Sequence, residues 1–200
     1  MTKHLIMFSG GLDSTYLAWK FLTQNKKIHL HHISIRNDTL FPWEVQDKAC
    51  KKIIPYFKER GFNFEYSESV FEFFGLRSVG YDIDLQLVCA QKVAQNLRPY
   101  KVDVCIGLTT HDINRTPTAV QKIPQIQDIW RPLLVRARVG GDNINTSIQF
   151  PLVDDNITKP EMIKDMPKDL LDLTWSCRTP ADNKPCGSCH ACRERLPLGN

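Results

Sequence analysis

"LIMFSGGLDSTYLAW", residues 5–19, decides how the rest of the chain is read. The apolar run Leu5-Ile6-Met7-Phe8 has the length and character of a short buried strand, and residues 4–8 are assigned to it. Two glycines then stand between Ser9 and Ser14, with Asp13 behind them. A helix is predicted from about Ser14 to Leu22. A strand feeding a glycine-rich turn that opens a helix binds anions, because the unpaired N–H groups of the first helical turn and the helix dipole both favour negative charge. Gly10 and Gly11 allow the backbone close to phosphate oxygens. The hydroxyls of Ser9 and Ser14 can donate to them. Asp13 is out of place beside phosphate unless a divalent cation bridges the two. The plainer alternative is a tight turn with Asp13 or Ser14 as helix N-cap. The loop has no lysine and no G-K-[ST], so it is not a Walker loop, and it is not the G-x-G-x-x-G dinucleotide turn.

Outward from this loop, strand and helix patterns alternate. "KIHLHHISI" (27–35) reads as a second strand, and the segment from Pro42 as a helix with Val45, Ala49, Ile53 and Tyr56 on one face. Pro55 predicts a kink in that helix, and "KERG" its end. "FNFEYS" alternates Phe62, Phe64 and Tyr66 as a third strand. From Asp82, the residues Ile83, Leu87, Ala90, Ala94 and Leu97 keep helical spacing, and "VDVCIGL" (102–108) is a fourth strand. The alternation predicts an α/β fold, a parallel sheet with helices on both faces. Residues 114–150 are poorly patterned and are expected to form a mobile or family-specific segment. Pro160 fits the first turn of a helix, and residues 167–175 another short one.

Two hundred residues suit one domain with a small appendage. Net charge is +4, from 26 basic and 22 acidic residues. That mild excess suits an anionic small substrate and makes no case for nucleic acid. No apolar run is long enough to span a bilayer, and the N-terminus lacks a secretory signal pattern, so a cytoplasmic protein is expected.

Of seven cysteines, Cys177, Cys186, Cys189 and Cys192 crowd the C-terminus as C-x8-C-G-S-C-H-A-C. In a reducing compartment such a cluster reads as metal ligands before disulfides. Four sulfurs in a tight knuckle suit tetrahedral Zn²⁺ in a closed structural site. A [4Fe–4S] cluster, a redox dithiol or free thiols are the alternatives. His190, inside the knuckle, reads as a solvated loop histidine or a substitute ligand.

S-G-G-x-D-S after a first strand resembles the ATP pyrophosphatases of the PP-loop type, with their Rossmann-like adenine-nucleotide alpha-hydrolase fold. The resemblance implies ATP and Mg²⁺ as cofactors. It implies nucleotide binding by Phe8, Ser9, Gly10, Gly11, Leu12, Asp13, Ser14 and Thr15, adenine near Ser34 and Ile35, and a close-approach glycine at Gly107. Taken with "TWSC…CGSCHAC" and "FPLVDDNITKPEMI" (150–163), the loop resembles the 7-cyano-7-deazaguanine synthase family. That resemblance implies a PP-loop ATP-binding domain over 1–165, a C-terminal helix and zinc tail over 166–200, and a homodimer. It places Lys159 at the ATP phosphates and makes Asp13 and Lys159 the catalytic pair. It also implies the family reaction, in which 7-carboxy-7-deazaguanine and ammonia become the nitrile through adenylated carboxylate and amide, a step of queuosine-type 7-deazapurine biosynthesis. The resemblance is close over about residues 4–35 and 150–195 and loose between. The family's H-x-Y-G-Q, P-G-R-N and tyrosine–aspartate substrate elements are replaced by "HHISIRNDTLFPWE" (31–44), "SVGYDIDLQ" (78–86) and "THDINRTPTAV" (110–120). Tyr81, Asp82, Asp112 and Arg115 are the candidates for substrate contact there, against surface or capping roles. Three other functions fit the loop: a relative that stops at the amide or uses another acceptor, a tRNA-thiolating PP-loop enzyme, and a non-catalytic ATP-binding module.

Overall fold

The computed structural model describes residues 2–37, 43–75, 82–114, 122–139 and 145–195. Its frame is one sheet of five strands, all parallel: β1 (Thr2–Met7), β2 (Ile28–Asn37), β3 (Glu65–Phe73), β4 (Lys101–Cys105) and β5 (Thr146–Gln149), in the order β3-β2-β1-β4-β5. The helices that connect them are α1 (Leu12–Thr23), α2 (Trp43–Glu59), α3 (Asp82–Asn96), α4 (Thr110–Asn114) and α5 (Lys122–Val139). Beyond β5 come α6 (Pro151–Asp154), α7 (Lys159–Asp165), α8 (Lys168–Leu173) and α9 (His190–Arg193).

β1 shows why the sheet needs cover on both faces. Its residues alternate, so that Ile6 and Phe8 enter one core and Leu5 and Met7 the other. The first core gathers Leu17 and Phe21 of α1, Ile53 and Phe57 of α2, Met162 of α7 and Leu170 of α8. The second gathers Leu87 and Ala90 of α3 with Ile126 and Trp130 of α5. Strand order reverses at β1, since β2 and β3 lie on one side of it and β4 and β5 on the other. In open parallel sheets, ligands bind beyond the carboxyl ends of the strands at such a switch point. Here that point lies between the residues after β1 and those after β4.

The α/β expectation and the first helices agree with the structure, α1 beginning two residues earlier than predicted. Pro55 stands inside α2 without ending it. β3 runs past the predicted 62–67 to Phe73 because its pairing with β2 continues from Glu65 through Phe73. The segment expected to be poorly ordered is the main correction. Its described part contains the 18-residue α5 and the fifth strand. Tertiary burial of Ile126 and Trp130 against the α3 face supports a helix that carries Pro132 in its interior. α7 begins as read, with a capping box between Thr158 and Glu161 and Pro160 in its first turn.

Between β1 and α1 the chain turns at Gly10, whose φ is +69°, pressed against α2. A Cβ there would stand 3.0 Å from the Ala49 Cβ, the Cys50 N and the Cys50 Sγ. Gly61, with φ +74°, has open space around it. Gly10→Ala is therefore expected to lower stability by about 2–4 kcal/mol, from backbone strain plus overpacking, and Gly61→Ala by about 1–2 kcal/mol from strain alone. Urea denaturation of the two variants measures the difference.

Candidate functional site

A cleft with a cavity volume of about 480 Å³ opens beyond the carboxyl ends of β1 and β4. That lies within the roughly 300–1,000 Å³ usual for small-molecule sites. Its floor is the Ser9–Ser14 loop. The Ser9 N–H and Oγ lie 3.2 and 3.1 Å from Ser14 Oγ, and the Gly11 N–H lies 3.3 Å from Ser9 Oγ. The hydroxyl pair thus shapes the loop from inside. Gly11 is the N-cap of α1 and offers no side chain, so neither Asp13 nor Ser14 caps the helix. Asp13 Oδ1 is buried and has no hydrogen-bond partner. Gly107, after β4, faces the loop so closely that a Cβ would lie 3.1 Å from the Ser14 N. This is a close approach that only glycine permits.

The loop is held from two sides. His32 bridges the Phe8 carbonyl, at 2.9 Å, and the Asp47 carboxylate of α2, at 2.8 Å. From the tail, the Trp175 N–H donates to the Gly10 carbonyl at 2.9 Å, while the Trp175 indole donates to Cys177. Arg195 donates to the carbonyls of Leu171 and Thr174, tying the last described residue back to the end of α8.

Across the cleft, Lys159 lies 2.5 Å from Glu194 Oε2 and 3.8 Å from Asp112 Oδ1. Burial pushes the Asp13 carboxyl up to about 6, against the pull of Lys159. Asp112 is half-buried, yet Lys159 and the Thr109 hydroxyl and N–H hold it below the ordinary carboxylate range. Lys159 is held above its ordinary value despite burial, by Asp13, Asp112 and Glu194. Three carboxylates thus share the Lys159 ammonium, while Lys122, Arg178 and Arg195 also line the cleft.

Of the residues assigned from sequence, Phe8, Ser9, Gly11, Leu12, Asp13, Ser14, Ile35, Gly107 and Lys159 line the cleft. Gly10, Thr15 and Ser34 do not. Gly10 backs onto α2, Thr15 is fully buried, and the Ser34 hydroxyl donates to Asp47 on the opposite side of β2. Asp82 and Asp112 both line it, and Asp112 also makes its capping contacts with Thr109. Tyr81 and Arg115 lie outside the described residues. Sequence reasoning missed Glu194, Arg178, Lys122 and His31 as cleft residues. Of these only Glu194 left a signal, four residues after His190 on one helical turn.

The Sγ atoms of Cys177, Cys186, Cys189 and Cys192 all lie within 4.8 Å of one another, with pairs at 3.9 and 4.0 Å. A tetrahedral zinc with bonds of about 2.3 Å spaces its sulfurs by about 3.8 Å. The backbone N–H of Cys186 lies 3.2 Å from Cys177 Sγ, and that of Cys189 lies 3.2 Å from Cys186 Sγ. Thr179, Cys189 and Ser188 donate to Cys186 and draw its thiol down toward the thiolate. The cluster could hold a metal ion such as zinc. His190 does not join it. It stacks on His111, 5.4 Å between ring centroids, and lies 3.3 Å from Glu194.

The chain matches no protein-family model and has no significant match among curated proteins. Among the described residues, no helix is long and apolar enough to cross a membrane.

The raised Asp13 carboxyl gives a pH signature. Its folded-state value lies above the unfolded 3.8, so the native state holds the extra proton between about pH 4 and 6. The resulting stability is full below pH 4 and is lost as pH rises through about 6. The expected loss is about 2–3 kcal/mol. Asp13→Asn should lack this component, as seen by comparing urea midpoints of the two proteins at pH 4.5 and 7 in divalent-free buffer.

Proposed function

We propose that the chain is an ATP-dependent ligase of the PP-loop, 7-cyano-7-deazaguanine synthase type. It would convert 7-carboxy-7-deazaguanine and ammonia to the nitrile. The observation that carries this reading is the Asp13 carboxylate. It stands with one buried oxygen unpartnered in the first turn of α1, on the floor of a switch-point cleft that Lys159 also lines. A phosphate site alone gives no reason for that carboxylate. A magnesium–triphosphate site does, because the orphaned oxygen is a hard ligand for the ion. When bound, Mg²⁺ neutralises the phosphate oxygens and leaves the phosphorus open to attack.

The loop N–H groups and the hydroxyls of Ser9 and Ser14 would hold the triphosphate. Lys159, now paired with Glu194, would exchange that partner in part for phosphate. The substrate carboxylate oxygen attacks the α-phosphorus, the bond to the β-phosphate breaks, and pyrophosphate leaves. A carboxylate is a poor electrophile because its leaving group would be oxide, and adenylation replaces that with AMP. Ammonia then attacks the acyl carbon, gives up a proton, and AMP departs with the amide formed. With a second ATP the amide oxygen is adenylated. Departure of AMP with loss of the nitrogen-bound protons leaves the nitrile. The residues contribute position and fixed donors more than covalent chemistry. The cleft must also keep water from the acyl adenylate.

The four-cysteine tail is read as a structural zinc site, closed by four thiolates and so without an open position for substrate. Sulfur transfer to RNA is the less favoured reading. Outside the tail, Cys50, Cys89 and Cys105 are all buried, and burial pushes each thiol up, away from the accessible thiolate such chemistry uses.

Purified protein given ATP, Mg²⁺, ammonium and 7-carboxy-7-deazaguanine should yield nitrile and two AMP per base, read by mass spectrometry. Lys159→Ala should lower the AMP-forming rate by about 100-fold. Amide that accumulates would assign the chain to a relative that stops halfway. ATP binding without pyrophosphate release would sink the ligase reading in favour of a binding module.

A further inference from the structure

We propose that His111, His190 and Glu194 hold a second divalent metal ion, of the zinc class, at the rim of the cleft and separate from the four-cysteine site. Glu194 Oε1 lies 2.7 Å from His111 Nδ1 and 3.3 Å from His190 Nδ1. Although buried, it takes a hydrogen bond from neither ring nor from any other group. A carboxyl oxygen at that range from two ring nitrogens, without N–H alignment to either, brings lone pairs together, which is unfavourable until a cation shares them. A buried polar atom left unsatisfied in this way is the mark of an absent ion or water. The three atoms lie within 4.8 Å of one another. Ligand bonds of about 2.0–2.2 Å in a tetrahedral site call for separations of about 3.4 Å, so small side-chain adjustments suffice.

The donor set selects the ion. Two imidazoles and one carboxylate suit zinc, cobalt and their neighbours, whereas magnesium prefers oxygen alone. Three protein ligands leave at least one position open, as in catalytic rather than structural zinc sites. His190 and Glu194 line the cleft, so the open position faces it and would take an oxygen of a bound carboxylate or phosphate. Local charge permits a cation here, since Lys159 is already shared between Glu194 and Asp112. Glu194 would bridge the ion on Oε1 and Lys159 on Oε2. This inference does not depend on the ligase reading.

Cobalt titration of metal-free protein tests it. Two equivalents of Co²⁺ should bind. One should give the intense absorption of thiolate-to-cobalt charge transfer, and the other only weak ligand-field bands. His111→Ala, at a half-exposed side chain, and Glu194→Gln should each weaken the second equivalent about 100-fold or more and leave the thiolate bands unchanged. A single equivalent in the unaltered protein would overturn the proposal. So would a second equivalent that both variants retain. Loss of the thiolate bands along with the second equivalent would overturn it as well, because the two side chains would then be supporting the tail and holding no ion of their own.

Discussion

One hydrogen bond connects the two ends of the chain, from the Trp175 N–H to the Gly10 carbonyl. Gly10 sits at positive φ against α2, where an added Cβ would stand 3.0 Å from Ala49 and Cys50, so the turn depends on glycine. The Gly10 carbonyl therefore meets the tail at a fixed place, and Trp175 in turn holds Cys177 through its indole. A metal on the four cysteines would draw on this connection. Its binding free energy would organise the tail, and the tail presses on the floor of the cleft. Lys159 and Glu194 meet across the same junction, the first from α7 and the second from just beyond α9.

The electrostatics of the cleft follow from this closure. Asp13, Asp112 and Glu194 are each buried to different degrees, and they share Lys159 as a counter-charge. Burial wins at Asp13, where no hydrogen bond offsets it. It loses at Asp112, which accepts from the hydroxyl and N–H of Thr109. Two carboxylates at one site are thereby set apart by their surroundings, one close to neutral pH and one firmly ionised.

How much of this was legible in the sequence depends on range. The Ser9–Ser14 loop, α1, α7 with Pro160 in its first turn and the cysteine spacing are local patterns, carried by residues a few positions apart. They were read correctly as elements. α5 and β5 were not, because their apolar positions make sense only against α3 and β4, and because Pro132 and the polar run around Gln127 argue locally against a helix. Thr15 and Ser34 failed as cleft residues for a related reason. Sequence places them beside the site, but helix rotation and strand alternation turn their side chains away. Glu194 was missed since its meaning lies in Lys159, thirty-five residues back, and in His111.

The same distinction bears on what the cleft is for. The cleft is lined by the loop, Gly107 and Lys159 on one hand, and on the other by His31 and by Asp82, Ile83, Gln86, Asp112 and Lys122 of the loosely resembling middle. His31 is buried among Ser67, Ser69 and Cys89, and burial pushes its imidazole down to about 4. Both of its ring nitrogens are thus engaged within the protein, while Lys122 and the Asp82–Arg178 pair supply charge. The two parts of the lining are thus built on different physical grounds. The first is backbone and glycine geometry, which tolerates little change. The second is a set of side chains, and it is there that this chain departs from the pattern it otherwise resembles.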